Sequence, residues 1–318
     1  MKNLLHIFIS SSLIFFIPQT NAYIYDSSSN FIENKKSCLA SPSLCLKQID
    51  ENIKNVKKQS RQWYRLINFK LLAIWEIRDS NWLKKEISPY IDLHNAPPVF
   101  LTTVYTLQAK MLFVDGHVEE GTLYANKSVE LIKKVNDISF DADRYAEIII
   151  LYNQLNQYES AIEFIQWINN KIARMGPVYH FPKLQTAIAH IHIKAADYDL
   201  ALTHYQYALR GFIETEYLLE TAEGYHNVAR ALQGKKEYTQ AISAFKKALN
   251  WMNSAVKVGN YAIEAKNYTQ LRLIETLQED NQYISAKLLL DEVNPEQVSR
   301  GTLPLYQQLK SNQLAYKS

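Results

Sequence analysis

Between Ala222 and Leu249, apolar side chains recur at every third or fourth position in two successive blocks. Tyr225, Val228, Ala229 and Leu232 form the first stripe, and Tyr238, Ala241, Phe245 and Ala248 the second. That spacing puts each set on one face of a helix. Gly234, Lys235 and Lys236 lie between the blocks, so the two helices turn back on each other. Small residues at Ala229, Ala241 and Ala248 let their backbones approach closely. The pattern repeats upstream: Ala201, Ala161 and Gly121 precede Ala241 at steps of forty residues. Tyr238, Tyr198, Tyr158 and Val118 stand three positions before these residues, and Phe245, Tyr205, Ile165 and Ala125 four after. Another unit lies at Ala286 after Tyr283, and a poorer one around Trp82. Helices are also predicted over 43–57, 60–77, 81–91 and 303–316. Pro97-Pro98, Gly176-Pro177, Gly259-Asn260 and Asn294-Pro295 punctuate the chain.

The unit around Ala241 resembles a tetratricopeptide (TPR) repeat, whose pattern runs aromatic, L-G-x-x-Y, then A-x-x-x-F and a further Ala. Here Tyr225 stands for the leading Trp, Val228-Ala229 for Leu-Gly and Leu232 for the Tyr, and no proline closes the unit. Forty residues exceed the usual length of about 34 and resemble the longer-helix variety found in bacterial regulators. The resemblance implies an all-α fold, an α-α superhelix of about six helix pairs with capping helices. Its expected layout is an N-terminal arm and capping helix over 23–58, the array over 59–293 and a C-terminal capping helix over 294–318.

The resemblance also implies a concave groove, lined by the first helix of each pair, that holds a protein or peptide partner. By register the groove carries Lys110, Lys183, His190, Lys194, His226, Asn227, Arg230 and Arg272, together with Asp143, Glu147, Asn153, Thr186, Glu223 and Gln233. The middle of this set reads as net basic. Asn227 and Arg230 share a helix face and would hold a carboxylate through charge-assisted hydrogen bonds, similar to the clamp of chaperone-binding TPR domains.

Composition changes the picture little: 47% hydrophobic and 21% charged residues suit a globular core, and only 8 Gly and 9 Pro fit helices better than hairpins. A net charge of +3 gives no concentrated basic surface for nucleic acid. The N-terminus adds more. Lys2, an apolar stretch over 4–17 and Thr20-Asn21-Ala22 read as a leader over 1–22, cleaved after Ala22, with a periplasmic or secreted product. No later stretch reads as transmembrane. Cys38 and Cys45, with six residues between them, are expected to form a disulfide in such a compartment.

Catalytic motifs are missing: G-x-S-x-G, H-E-x-x-H and G-x-G-x-x-G do not occur. Gly116 and Gly121 have P-loop spacing, but Thr122-Leu123 stands where Lys-Ser/Thr is needed. In His190-Ile191-His192 the two imidazoles point in different directions on a helix. Register puts His192 inward, at the position of Leu232, and His190 on the exposed groove side. Neither a cofactor nor a metal is expected. The chain reads as an exported interaction module, an adaptor, assembly factor or sensory partner in the cell envelope. A free-standing ligand-sensing module of a membrane signalling system is the second reading. The sequence does not fix the oligomeric state.

Overall fold

A computed structural model describes residues 38, 42–77, 79–93, 95–173, 176–214, 218–255, 260–299 and 301–315. The leader and the arm up to residue 34 lie outside the described residues. The described residues form fourteen α-helices. Helix α1 spans Pro42–Asn52, and six antiparallel pairs follow. These are α2 Arg61–Ile77 with α3 Ser80–Ile87, α4 Pro98–Val114 with α5 Val118–Ile138, and α6 Ala142–Gln154 with α7 Tyr158–Ile172. Next come α8 Pro182–Lys194 with α9 Tyr198–Glu214, α10 Leu218–Gly234 with α11 Tyr238–Ala255, and α12 Asn260–Glu279 with α13 Tyr283–Asp291. Helix α14, Leu303–Ala315, ends the array. Its outward side carries Gln307, Gln308 and Lys310, and Tyr306 and Leu309 face the core.

Local chemistry sets the helix ends. Prolines occupy the first turns of α1, α4 and α8, where no backbone N–H is needed. Asp79 caps α3 by accepting from the Trp82 amide at 2.9 Å, and Asp141 caps α6 through the Asp143 amide. Within five of the pairs the first helix stops on a residue of positive φ: Gly116, Asn156, Ala196, Lys236 and Asn281. The following amide then reaches back five residues, as from Asp197 to His192 O and from Glu237 to Leu232 O, each at 2.9 Å. This closure satisfies carbonyls that the helix end would leave bare.

Beyond each turn the second helix crosses the first at a small residue. Ala161, Ala201, Ala241 and Ala286 are all fully buried. Gly121 fills the same slot in α5, where an added Cβ would come within 2.8 Å of the Phe113 ring. The first helices pack on one another in the runs α2–α4–α6–α8 and α10–α12. This places their free faces along one side of the stack. The core divides into three clusters. One joins Cys38 and α1 to α4, the second joins α4 to α8, and the third runs from α8 to α14. Cys38 and Cys45 are disulfide-bonded, with Cα atoms 5.0 Å apart, and both are fully buried.

The crossing slots give the first prediction. Ala201→Leu should overpack the contact between α8 and α9 and cost about 1–3 kcal/mol. Lys246→Ala removes an exposed side chain and should stay within about 0.5 kcal/mol of the parent. Urea unfolding of both variants checks this, and equal effects would contradict the packing described.

Candidate functional site

The free sides of the first helices present polar and charged residues, because their apolar stripes face the second helices. Two cavities open on this side. The first, of about 190 Å³, lies among α2, α4, α6 and the start of α8. Trp75 and Glu76 line it from α2, Thr102, Thr106 and Lys110 from α4, Asp143, Arg144 and Glu147 from α6, and Lys183 from α8. The second, of about 400 Å³, is bordered by Thr186 and His190 of α8, Glu223, His226 and Asn227 of α10 and Glu264, Tyr268 and Thr269 of α12. Ser299 and Thr302, just before α14, close its end.

The cations of the first cavity are already engaged. The buried Lys110 ammonium pairs with Glu147 and stands 5.4 Å from the centre of the Trp75 ring. Arg144 donates to Asn136 Oδ1 at 3.0 Å and to the Ser139 carbonyl at 2.8 Å, with Asp141 beside it. Burial works against the Lys183 charge, but Asp143, Glu76, Glu220 and Glu147 together outweigh it and raise its pKa. Burial raises the Glu220 pKa, Lys183 counteracts this, and Glu76 adds to it. Glu76 of α2 and Glu220 of α10 therefore act on the same lysine from opposite ends of the inner face.

In the second cavity the imidazoles are neutral. His190 Nδ1 lies 2.6 Å from the Tyr205 hydroxyl, and burial lowers its pKa to about 4. His226 is buried between Phe245 and Tyr268. Burial, helped by Arg230, Arg272 and His190, lowers its pKa to about 3. The Thr269 hydroxyl donates its one hydrogen to the Ala265 carbonyl at 2.8 Å. Its contact with His226 Nδ1 at 2.9 Å therefore requires Nδ1 to carry the proton.

Past this cavity lies a charge network. Arg230 donates to Gln233 at 2.7 Å and faces Glu275 at 3.5 Å. Arg272 donates to both oxygens of Glu275, at 3.1 and 2.8 Å, and to the Tyr268 hydroxyl at 2.9 Å. Gln233 bridges Glu275 and Glu279 at 3.0 and 2.9 Å.

These positions correct several expectations. The middle of the groove is not net basic. His190 and His226 carry no charge near neutral pH, and Glu275 and Glu279 offset Arg230 and Arg272. Asn227 and Arg230 form no clamp, because the guanidinium is held by Gln233 and Glu275 while Asn227 lines the cavity. Lys194 closes the end of α6 by donating to the Asn153 carbonyl at 3.0 Å and to Asn156. His190 is not an exposed groove residue: its short side chain stays against Tyr205. His192, by contrast, points inward as expected: its side chain is 13% exposed and stacks on His204 at 5.6 Å. Sequence reasoning passed over Glu76, Glu264, Tyr268, Glu275 and Glu279. Glu275 and Glu279 follow Arg272 by three and seven positions and so share its helix face, a signal that was available.

A stack of helix pairs with one polar inner side defines a repeat scaffold. The family model described as tetratricopeptide repeat matches residues 182–254, the span from α8 into α11. The chain has the fold of a structure of a Rap protein complexed with competence and sporulation factor, with a TM-score of 0.60 at 12% identity over 89% of this chain and 76% of that one. It is also similar in fold to a chain of the APC/C hetero-tetramer Cut9-Hcn1, with a TM-score of 0.52 at 12% identity over 89% of this chain and 50% of that one. No curated protein sequence matches it. Residues 182–254 therefore carry tetratricopeptide repeats, and this fold suits binding of another protein. Among the described residues no helix is long and apolar enough to cross a membrane.

Proposed function

We propose that the chain is an exported interaction module that holds a protein or peptide segment along its inner face, as an adaptor, assembly factor or sensory partner in the cell envelope. The observation that carries this is the convergence of polar side chains from α2, α4, α6, α8, α10 and α12 on one side, with two cavities opening there. The buried Cys38–Cys45 disulfide supports export, because such bonds persist in oxidising compartments. The Rap protein of like fold is in complex with competence and sporulation factor, which supports a binding role by analogy. The second cavity is also of small-molecule size, and this favours a ligand-sensing role as the second reading.

Photo-crosslinking in the native host tests the main reading. A crosslinking residue at Asn227 or Thr186 should capture one defined protein or peptide, identified by mass spectrometry, and one at the outward Lys246 should not. Capture from Lys246 alone would move the working surface to the other side. An intact small molecule copurifying with the protein, with no crosslink, would support the sensing role instead.

A further inference from the structure

The second cavity presents a fixed pair of opposite hydrogen-bonding groups. The Tyr205 hydroxyl is buried, and His190 Nδ1 is its one hydrogen-bond partner among the described residues. A buried O–H without an acceptor is costly, so the phenol donates to Nδ1. In a neutral imidazole the other nitrogen then carries the hydrogen, and His190 Nε2 is a donor. His226 has the reverse arrangement. Its Nδ1 carries the hydrogen, because the Thr269 hydroxyl spends its own on Ala265, and Nε2 keeps a bare lone pair. Neither Nε2 has a hydrogen-bond partner among the described residues, and neither is sealed from solvent. Both residues line the cavity, so both Nε2 atoms open into it. The rings are neighbours, since a charge on His190 would weigh against one on His226.

One N–H beside one lone pair selects by chemistry. A carboxylate sets its lone pairs against His226 Nε2, and an ammonium or guanidinium sets an N–H against His190. A primary carboxamide suits both, because its C=O and one N–H point along the same edge of one plane. A trans peptide unit does not, because its C=O and N–H point in opposite directions. Asn227 also lines the cavity, and its side-chain amide can meet the ligand's second N–H or second lone pair. The other polar groups of the cavity are engaged or lie in solvent. Thr186 spends its hydroxyl hydrogen on the Pro182 carbonyl, and Ser299 and Thr302 bond to each other. Glu223 is engaged within the protein, and Glu264 is exposed.

We propose that the second cavity seats the uncharged carboxamide of a glutamine or asparagine side chain, its C=O on His190 Nε2 and its N–H on His226 Nε2. This rests on the inner-face reading above and names a residue of the bound segment. A free small molecule with the same amide edge shares this chemistry, and the test separates the two sources.

The test is fluorescence anisotropy on the whole chain with three labelled peptides, four repeats each of Gly-Ser-Gln, Gly-Ser-Glu and Gly-Ser-Lys. The glutamine peptide should bind at least about tenfold more tightly than either of the others. Salt should change its affinity little, because the seated group has no charge. Asn227→Leu should weaken it by about tenfold or more at an unchanged circular dichroism spectrum, and the exposed Lys246→Ala should not. Equal binding of the glutamate or lysine peptide overturns the proposal, as do equal effects of the two variants. Nitrogen NMR of labelled histidines reads the tautomers without any variant. Hydrogen on His190 Nε2 and on His226 Nδ1 is expected, and the same tautomer in both rings overturns the proposal. Nicotinamide binding more tightly than the glutamine peptide also overturns it, because the site would then serve a small molecule. A partner crosslinked at Thr186 through a segment without glutamine or asparagine would defeat this inference and leave the inner-face reading standing.

Discussion

Replacing Glu275 with alanine should destabilise the protein by about 3 kcal/mol and lower its melting temperature by roughly 5 °C. Glu275 is the only carboxylate in contact with both Arg230 and Arg272 among the described residues. Its side chain is 17% exposed, against 22% for Arg272 and 30% for Arg230. Its removal leaves two guanidinium groups side by side in a partly dry setting, and Gln233 loses one of its two acceptors. Breaking a buried ion pair costs about 3–5 kcal/mol, and the remaining exposure puts this case at the low end. Arg230→Met and Arg272→Met together with Glu275→Leu should recover most of the loss, because the one charge left, Glu279, is exposed and keeps its bond from Gln233. Thermal melts followed by circular dichroism check both results. By the same physics Arg230→Glu is a poor probe of binding, since it sets a third carboxylate beside Glu275 and Glu279.

Acidification should have an effect of similar size. His190 and His226 have folded-state pKa values lowered to about 4 and about 3 by burial. In the unfolded chain a histidine titrates near 6.5. Between these limits the unfolded chain takes up protons that the folded chain refuses, so stability falls as pH falls. It is complete above about pH 6.5, and each histidine then removes up to about 1.4 kcal/mol per pH unit on the way down. Together the pair gives a slope of up to about 3 kcal/mol per unit. Glu220, raised by burial, acts in the opposite sense, because acid relieves its charge. Urea midpoints at pH 7 and pH 5 measure the balance, and His226→Gln should remove about a third of the slope, because His204, lowered to about 4 by burial and by His192, contributes as well. An identical midpoint at both values would mean that these imidazoles are not sequestered.

The apolar half of the structure was legible from the sequence because its code is local. Ala201, Ala241 and Phe245 sit where spacing alone puts them, since a helix that stacks must repeat its stripe and narrow at the crossing. The charged half was not legible, because each charge is decided by partners far along the chain. Arg230 looked available until α12 brought Glu275 to it across 45 residues. Lys183 is governed by Asp143 on α6, Glu76 on α2 and Glu220 on α10, helices that no spacing rule connects. His190 shows a third kind of miss. The repeat register places it at the position of Arg230, but an imidazole lacks the reach of a guanidinium and turns to Tyr205 instead.

The division of the core into three clusters has a mechanical consequence. A pull applied at residues 42 and 315 would load the clusters in series, because each touches only the next along the stack. The weakest would yield first and pay out slack while the others stayed folded. The disulfide at Cys38 and Cys45 locks only the first few residues against such extension. Under tension the molecule would behave as a stepwise-extensible tether.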